Sequence, residues 1–249
     1  MPYFRGLLRA VEARFYKDIE LPAPTLDLGC GDGHFGSVAF DRKLEVGTDP
    51  WWQPIAEARE CNAYQGLAQS DGAAQPFPDS HFASAVSNSV LEHILHIDAV
   101  LTETARVLQP GALFAFCVPN HQFLPGLSIG RALDKIGLRA LGDTYRNFFN
   151  RVCRHYHSDD PQTWETRLQK AGFRLERWWH YFSPEALRVL EWGHYLGLPS
   201  LLSKKLTGRW ILVPQHWNLV LTYRLTEPFY NEPRADEDGA YTFFIARRV

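Results

Sequence analysis

The residues that most restrict the fold lie at 25–36. There the short apolar run Thr25-Leu26-Asp27-Leu28 leads straight into Gly29-Cys30-Gly31-Asp32-Gly33 and on to Gly36. Alternating glycines directly after an apolar strand segment serve two ends. Glycine tolerates positive φ in a tight turn, and it lets the backbone approach a ligand closely. The helix predicted next, to about Asp41, turns backbone N–H groups and the positive end of its dipole toward that turn. Such strand–turn–helix units open doubly wound α/β folds. The other reading of the same residues is a tight turn that holds nothing.

The rest of the chain extends that pattern. Phe4, Leu7, Leu8, Val11 and Phe15 give residues 3–18 one apolar helical face, ended by Pro22 and Pro24. Leu44–Thr48 reads as a second strand ending at Asp49, 54–62 as a helix, 63–69 as a third strand and Ala83–Ser89 as a buried strand. A helix is predicted over 97–109, stopped by Pro110-Gly111, then a strand over Ala112–Val118 covered on both faces. Strands alternating with helices predict a parallel, doubly wound sheet. From 121 to 158 the periodicity is weak. A helix restarts at Asp160-Pro161 and ends at Gly172, 174–182 reads as a strand, and Ser183-Pro184-Glu185 caps another helix. Tyr241–Ile245 alternates like a final edge strand. The expected organisation is one domain over 1–249, with insertions at about 121–158 and 183–240.

Composition removes several function classes. A chain of 249 residues buries enough surface to need no staples. A formal net charge of -2 gives no basic footprint, so no nucleic-acid partner is expected. Cys30, Cys61, Cys117 and Cys153 form no CxxC pair, which fits a reduced, cytoplasmic compartment. Arg5, Arg9, Glu12 and Arg14 interrupt any apolar leader core, so no signal peptide is expected. Lys204, Lys205, Arg209 and Pro214 break the greasy stretch 198–225, so no membrane span is expected.

Further motifs follow in order: Asp71-Gly72, Pro76-Phe77-Pro78-Asp79, Leu91-Glu92-His93, and Val107-Leu108-Gln109-Pro110-Gly111. Together with 26–33, this ordered set resembles the class I S-adenosylmethionine (SAM)-dependent methyltransferases, in particular the type 11 group acting on small molecules and lipids. The resemblance covers about 27–120 well and the remainder more loosely. Gln75, Ala83 and Ala112 depart from the usual residues at their positions. The resemblance implies a Rossmann-like, seven-stranded, mostly parallel sheet with the last strand antiparallel and helical cap insertions. It implies SAM as cofactor. It places Asp27, Gly29, Cys30, Gly31 and Gly33 along the methionine half and Asp49 at the ribose. Asp71, beside Gly72, would accept the adenine amino group, and Asn88 and Ser89 would lie near the sulfonium. Pro50 and Trp51 follow Asp49 and would pack on adenine. For Asp71 a solvated turn is the alternative, and for Trp51 an ordinary core position.

Methyl transfer needs a nucleophile aligned with the S–CH3 bond and water kept away; positioning of that kind contributes roughly 7–11 kcal/mol. A hydroxyl acceptor also profits from a general base. His93, His121 and His157 are the candidates, since ligands of open α/β sheets sit at the carboxyl ends of strands. A histidine that only caps a helix or bonds a carbonyl is the competing reading for each. His155-x-His157-x-Asp159 also fits a metallohydrolase signature, but Asp160 stands where a further ligand histidine belongs, so no metal is expected.

Phe123, Leu124, Phe148, Phe149, Trp178, Trp179, Trp192, Tyr195, Trp210 and Trp217 make the insertions rich in large apolar side chains. They suit a small or lipophilic acceptor, with oxygen the expected target atom. A patch touching a membrane surface is a weaker reading, and a cap packing its own core competes with both. Arg131, Arg139, Arg146, Arg151 and Arg154 suit an anionic group on the acceptor, or simply solvated helix faces. Gly31-x-Gly33-x-x-Gly36 with Asp49 also suits NAD, so an NAD(P)-dependent oxidoreductase is one alternative; no Tyr-x-x-x-Lys supports it. A non-catalytic SAM-binding module is another.

Overall fold

The computed structural model of the chain describes residues 3–207 and 215–249. Arg209, Trp210 and Pro214 lie outside these residues, and so does the side chain of Phe4.

The first half runs α1 (Tyr3–Tyr16), β1 (Thr25–Leu28), α2 (His34–Ala39), β2 (Leu44–Asp49), α3 (Trp52–Cys61), β3 (Tyr64–Gln69), β4 (Phe82–Asn88), α4 (Ile97–Val107) and β5 (Leu108–Pro119). A single 3-10 turn, Leu91–His93, lies between β4 and α4. The second half runs α5 (Phe123–Gly126), α6 (Ser128–Lys135), α7 (Arg139–Cys153), α8 (Pro161–Lys170), β6 (Phe173–Tyr181), α9 (Pro184–Leu196), α10 (Leu198–Thr207), α11 (His216–Tyr230) and β7 (Tyr241–Arg248).

The seven strands form one sheet in the order β3-β2-β1-β4-β5-β7-β6. Its β3-β2-β1-β4-β5 stretch is parallel throughout, and β7 runs antiparallel to β5, with Phe116 opposite Phe244. The doubly wound, mostly parallel sheet read from the sequence is therefore present. The edge assignment of the final strand is not: β7 lies inside the sheet and β6 takes the edge. Its sequence explains this, because Tyr241 to Ala246 are all buried and an edge strand seldom carries such a run.

Two boundaries moved for a physical reason. α4 stops at Val107, and β5 starts at Leu108 rather than Ala112. The pairing with β4 then slips between Phe82↔Leu108 and Ser84↔Leu113. Gln109-Pro110-Gly111 fits into that slip as a bulge, with Gly111 at φ 79°. Proline donates no ladder bond, so a bulge is where a strand tolerates it.

The chain packs as two compact units. The sheet unit holds 13–121, 154–179 and 241–249, so 154–158, expected in the first insertion, pack with the sheet. Its core joins Leu26, Phe82, Leu101, Phe114, Phe116, Trp164 and Phe244, with Phe116 stacked on Phe244 at 4.9 Å between ring centres. The helical unit holds 1–12, 122–153 and 180–240. The weakly periodic 121–158 stretch is mostly helix there, because Phe123 and Phe149 bury completely and His194 packs edge-on to Phe149 at 5.0 Å. Buried Glu191 accepts from the Ser128 and Ile129 amides, the Ser128 hydroxyl and the Tyr145 hydroxyl, so it caps α6. Arg146 pairs with Asp134 and Asp143, which accounts for one of the arginines in the insertion. Phe123 and Phe149 follow the own-core reading, whereas Phe148, Trp192 and Trp217 stay exposed. Among the described residues no helix is long and apolar enough to cross a membrane.

Candidate functional site

The glycine turn sits where β1 passes into α2. The Gly29 and Cys30 amides donate to the Thr48 carbonyl at 2.8 and 2.9 Å, tying the turn to β2. Gly29, Gly31 and Gly33 all adopt positive φ, at 81°, 56° and 73°. Their surroundings differ. A Cβ on Gly29 would lie 2.5 Å from Val90 Cγ1, and one on Gly33 would lie 2.9 Å from Ala58 Cα. A Cβ on Gly31 would meet nothing within 4 Å. Gly29 and Gly33 thus serve packing, and Gly31 alone of the three faces open space.

Asp49 closes the same turn. Its Oδ2 accepts from the Gly31 amide at 3.2 Å and its Oδ1 from the Trp51 amide at 2.9 Å. Burial pushes its pKa up, and the two amide bonds pull the other way. Pro50 and Trp51 follow on the surface; Trp51 is 71% exposed, so the core alternative for it fails. Burial, aided by the charges of Asp27 and Asp49, pushes the Cys30 thiol well above the ordinary thiol range. The Cys30 thiol therefore stays protonated at neutral pH.

Asp27 is held from an unexpected side. Its Oδ2 accepts from the Tyr64 hydroxyl at 2.5 Å, and both side chains are buried. Burial and the Asp27 charge push the Tyr64 phenol far up, so it remains a donor. Tyr64 lies between two glycines: a Cβ on Gly36 would sit 2.4 Å from its hydroxyl oxygen, and one on Gly47 would sit 3.0 Å from its ring. Gly36, the last glycine of the fingerprint, makes room for this tyrosine. Sequence reasoning missed Tyr64; Gly47, a glycine inside a strand with no turn to make, was the available signal.

Asp71 starts the segment after β3. It is exposed, and its Oδ1 accepts from the Ala73 amide at 2.9 Å, a local turn bond. Gly72 packs close on α4, where a Cβ would come within 3.1 Å of Val100 Cγ1. Two charged residues of α4 fix the segment. Glu103 accepts from the Gln75 amide at 2.7 Å, while Arg106 donates to the carbonyls of Gln75 and Phe77 and pairs with Asp79 and Glu103. The Arg106 guanidinium beside Glu103 holds that carboxyl below its ordinary value. Nothing in the local pattern marked Glu103 for this work.

At the end of β4, Asn88 and Ser89 are buried, and Ser89 takes φ 50°, a conformation rare outside glycine. The Asn88 Oδ1 accepts from the Cys117 thiol at 3.0 Å, and the Ser89 amide donates to the Cys117 carbonyl at 3.1 Å. The 3-10 turn then presents His93, whose Nδ1 faces the Arg154 carbonyl at 3.1 Å. His157 has Nε2 at 2.9 Å from the Ile94 carbonyl and Nδ1 at 3.6 Å from Asp159, which also binds Arg167. A ring nitrogen bonded to a backbone carbonyl is the arrangement that competes with catalysis for this histidine. His121 is exposed just beyond β5, near enough to Asp160 to lower that acid's pKa, though the amides of the α8 cap contribute more.

The structure brings Gly29, Cys30, Gly31, Asp49 and Asp27 to adjoining strand ends, with Asn88 and Ser89 at the end of the neighbouring β4. It separates the HxHxD residues: His157 and Asp159 face each other, whereas His155 faces Glu92 and His93.

Comparison with known proteins gives a consistent picture. The family described as "Methyltransferase domain" matches residues 3–190. A malonyl-[acyl-carrier protein] O-methyltransferase of Enterobacter lignolyticus is 32% identical over 115 residues, 45% of this chain and 46% of that protein. A fatty-acid O-methyltransferase of Mycolicibacterium smegmatis is 34% identical over 130 residues, 49% of this chain and 46% of that protein. This chain spans about half the length of the curated relatives it matches. Among solved structures, a SAM-dependent methyltransferase from Mesorhizobium loti has TM-score 0.56 at 17% identity, covering 98% of this chain and all of that one (100%). Geranyl diphosphate C-methyltransferase from Streptomyces coelicolor, solved with S-adenosyl-L-homocysteine, has TM-score 0.58 at 13% identity, covering 96% and 77%. These two likenesses concern the fold.

Proposed function

The chain belongs to the methyltransferase-domain family, and from that premise we propose that it transfers a methyl group from SAM to a small or lipophilic acceptor, at oxygen. The observation that carries the reading is the open backbone at Gly31, with its amide held by Asp49. What sets Gly31 apart from the other open, positive-φ glycines is its place in the turn after β1, beside buried Asp49 and Asp27, where the missing Cβ leaves a ligand room to approach the main chain closely. The surrounding donor set suits the cofactor: Asp49 offers carboxylate oxygens to a ribose diol, and Asp71 offers one to an amino group. Gly29, Gly33 and Cys30 shape the methionine side, and Asp27, fixed by Tyr64, supplies negative charge behind it. Trp51 and Pro50 offer an exposed apolar surface to a purine, and Asn88 and Ser89 border the reacting end.

Bound SAM supplies a methyl group already activated by its sulfonium. This chain's part is to align the acceptor in line with that bond and exclude water, the contribution that positioning makes. Of the three histidines, His121 has the setting of a base that takes the acceptor proton, exposed at a strand end with Asp160 as its electrostatic neighbour. His157 ties the 94 and 157 segments together, and His93 is held by the Arg154 carbonyl. Oxygen as target atom is supported by the O-methyltransferase names of two relatives. We take the chain as one methyltransferase domain with insertions at 122–153 and 180–240, working in the cytoplasm. The four free cysteines favour that compartment.

The test is calorimetry with SAM, S-adenosylhomocysteine and NADH, followed by transfer of labelled methyl to a panel of fatty acids, acyl thioesters and phenols. Binding of both adenosyl ligands and labelling of a carboxyl or hydroxyl support the reading. Binding of NADH instead, or tight SAM binding with no turnover across the panel, overturns it.

A further inference from the structure

We propose that Glu92, His93 and His155 form a binding site for one divalent transition metal ion of the zinc class. Their ligand atoms, one per residue, lie within 4.8 Å of one another, and Glu92 Oε1 is 3.7 Å from His93 Nε2. Zinc held about 2.0–2.1 Å from each ligand draws such atoms to roughly 3.4 Å separation. Binding therefore draws the Glu92 carboxylate and the His155 ring closer to His93 Nε2, while His93 keeps its bond to the Arg154 carbonyl.

The surroundings of the three side chains point the same way. The Glu92 side chain is buried, and a buried carboxylate beside imidazoles is stabilised by a cation. His93 turns Nδ1 to the Arg154 carbonyl at 3.1 Å, so Nδ1–H donates there and Nε2 is the ring atom that faces Glu92. A ring nitrogen bonded to a carbonyl is the support a metal-ligating histidine ordinarily has. Arg154, at φ 59°, supplies that carbonyl, and the ring of the adjacent His155 lies 5.3 Å from the His93 ring, centre to centre. The two segments are also stitched by the Tyr156 and His157 amides, at 2.8 and 3.3 Å from the Glu92 carbonyl.

Two imidazoles and one carboxylate are the ligands of a catalytic zinc site, with further positions open. His93 is exposed, so the open side is reachable from solvent. On the methyl-transfer reading, on which this last step rests, the ion would hold an acceptor oxygen near the end of β4. Metal binding itself does not depend on that reading.

The experiment uses the full chain, freed of metal by chelator and of any histidine tag. Zn2+ is titrated calorimetrically, and Co2+ is followed by its visible ligand-field absorption. One equivalent of either ion, a Co2+ spectrum of low-symmetry four- or five-coordination, and a melting point raised by Zn2+ are expected. His155→Ala and Glu92→Gln should each weaken binding at least about tenfold, and His34→Ala should not. Far-UV dichroism checks that each variant is folded. No stoichiometric binding, or binding equal to wild type in folded His155→Ala and Glu92→Gln, overturns the site and leaves a hydrogen-bonded cluster. A chain that binds zinc but not SAM would instead sink the methyl-transfer reading alone.

Discussion

Gly31→Ala separates a glycine kept for a ligand from glycines kept for packing. The added methyl meets nothing within 4 Å, so its cost to the fold is only the positive φ of 56°. That strain is about 1–2 kcal/mol for a residue with a Cβ. In a chain of this size it lowers the melting point by about 2–8 °C. Gly33→Ala carries the same strain and also drives its methyl to 2.9 Å from the Ala58 backbone. Overpacking adds about 1–3 kcal/mol, so this variant falls by about 4–20 °C. Ligand binding should rank the other way relative to fold damage. The Gly31 amide that bonds Asp49 survives the change, so lost affinity would come from the methyl standing in the ligand's place. A loss of at least about tenfold for S-adenosylhomocysteine, or 1.4 kcal/mol, is expected in a folded Gly31→Ala protein. Differential scanning fluorimetry measures the first quantity and calorimetry the second. Wild-type affinity in folded Gly31→Ala would refute the assignment of the open space to the cofactor.

Other variants probe the remaining groups. Asp49→Ala and Asp71→Ala should each weaken SAM binding by at least about 1 kcal/mol, read by calorimetry, as expected when a ligand donor loses its acceptor. Tyr64→Phe removes the hydroxyl that donates to buried Asp27; a thermal shift of about 3–12 °C is expected, from about 1.5–3 kcal/mol for a bond to a charged group. Glu103 has its folded pKa lowered below its ordinary 4.5, so the stability it contributes is present above that value and lost as pH falls through the folded value. The stability gap between wild type and Glu103→Gln should therefore be constant at neutral pH and shrink below about pH 4.5, followed by urea titration at several pH values. His121→Ala should lower turnover by about 100- to 10,000-fold and leave SAM affinity unchanged, whereas His157→Ala should chiefly lower the melting point.

How much of this could be read from residues alone depended on how local the signal was. The turn at 29–33 and the alternation of β1 to β5 are local, and both were legible, because glycine and apolar periodicity act over a few residues. The position of β7 was not. Its neighbours in the sheet are set by a pairing across more than a hundred residues, and alternation alone says nothing of which strand lies alongside. The bulge at Gln109-Pro110-Gly111 looked like a helix stop because the same residues end helices and interrupt ladders. In the candidate site the glycines and Asp49 stood out. Tyr64 and Glu103 did not, because each acts through one long-range partner, Asp27 in one case and the Gln75 amide in the other. The regrouping of His155 with Glu92 is of the same kind: adjacency in sequence suggested His157 and Asp159, but the backbone between 92 and 156 decides which imidazole faces which carboxylate.

The placement of β7 between β5 and β6 bears on how the chain is made. During synthesis β5 and β6 emerge long before 241–248, and until those residues arrive the ladder of β5 has no neighbour on that side. A nascent chain held at that stage shows a bare row of amides and carbonyls beside apolar side chains such as Phe114 and Phe116, the kind of surface that invites wrong partners. Translation speed across 183–240 therefore sets how long that vulnerability lasts, and a pause there should raise dependence on chaperones more than a pause before β4.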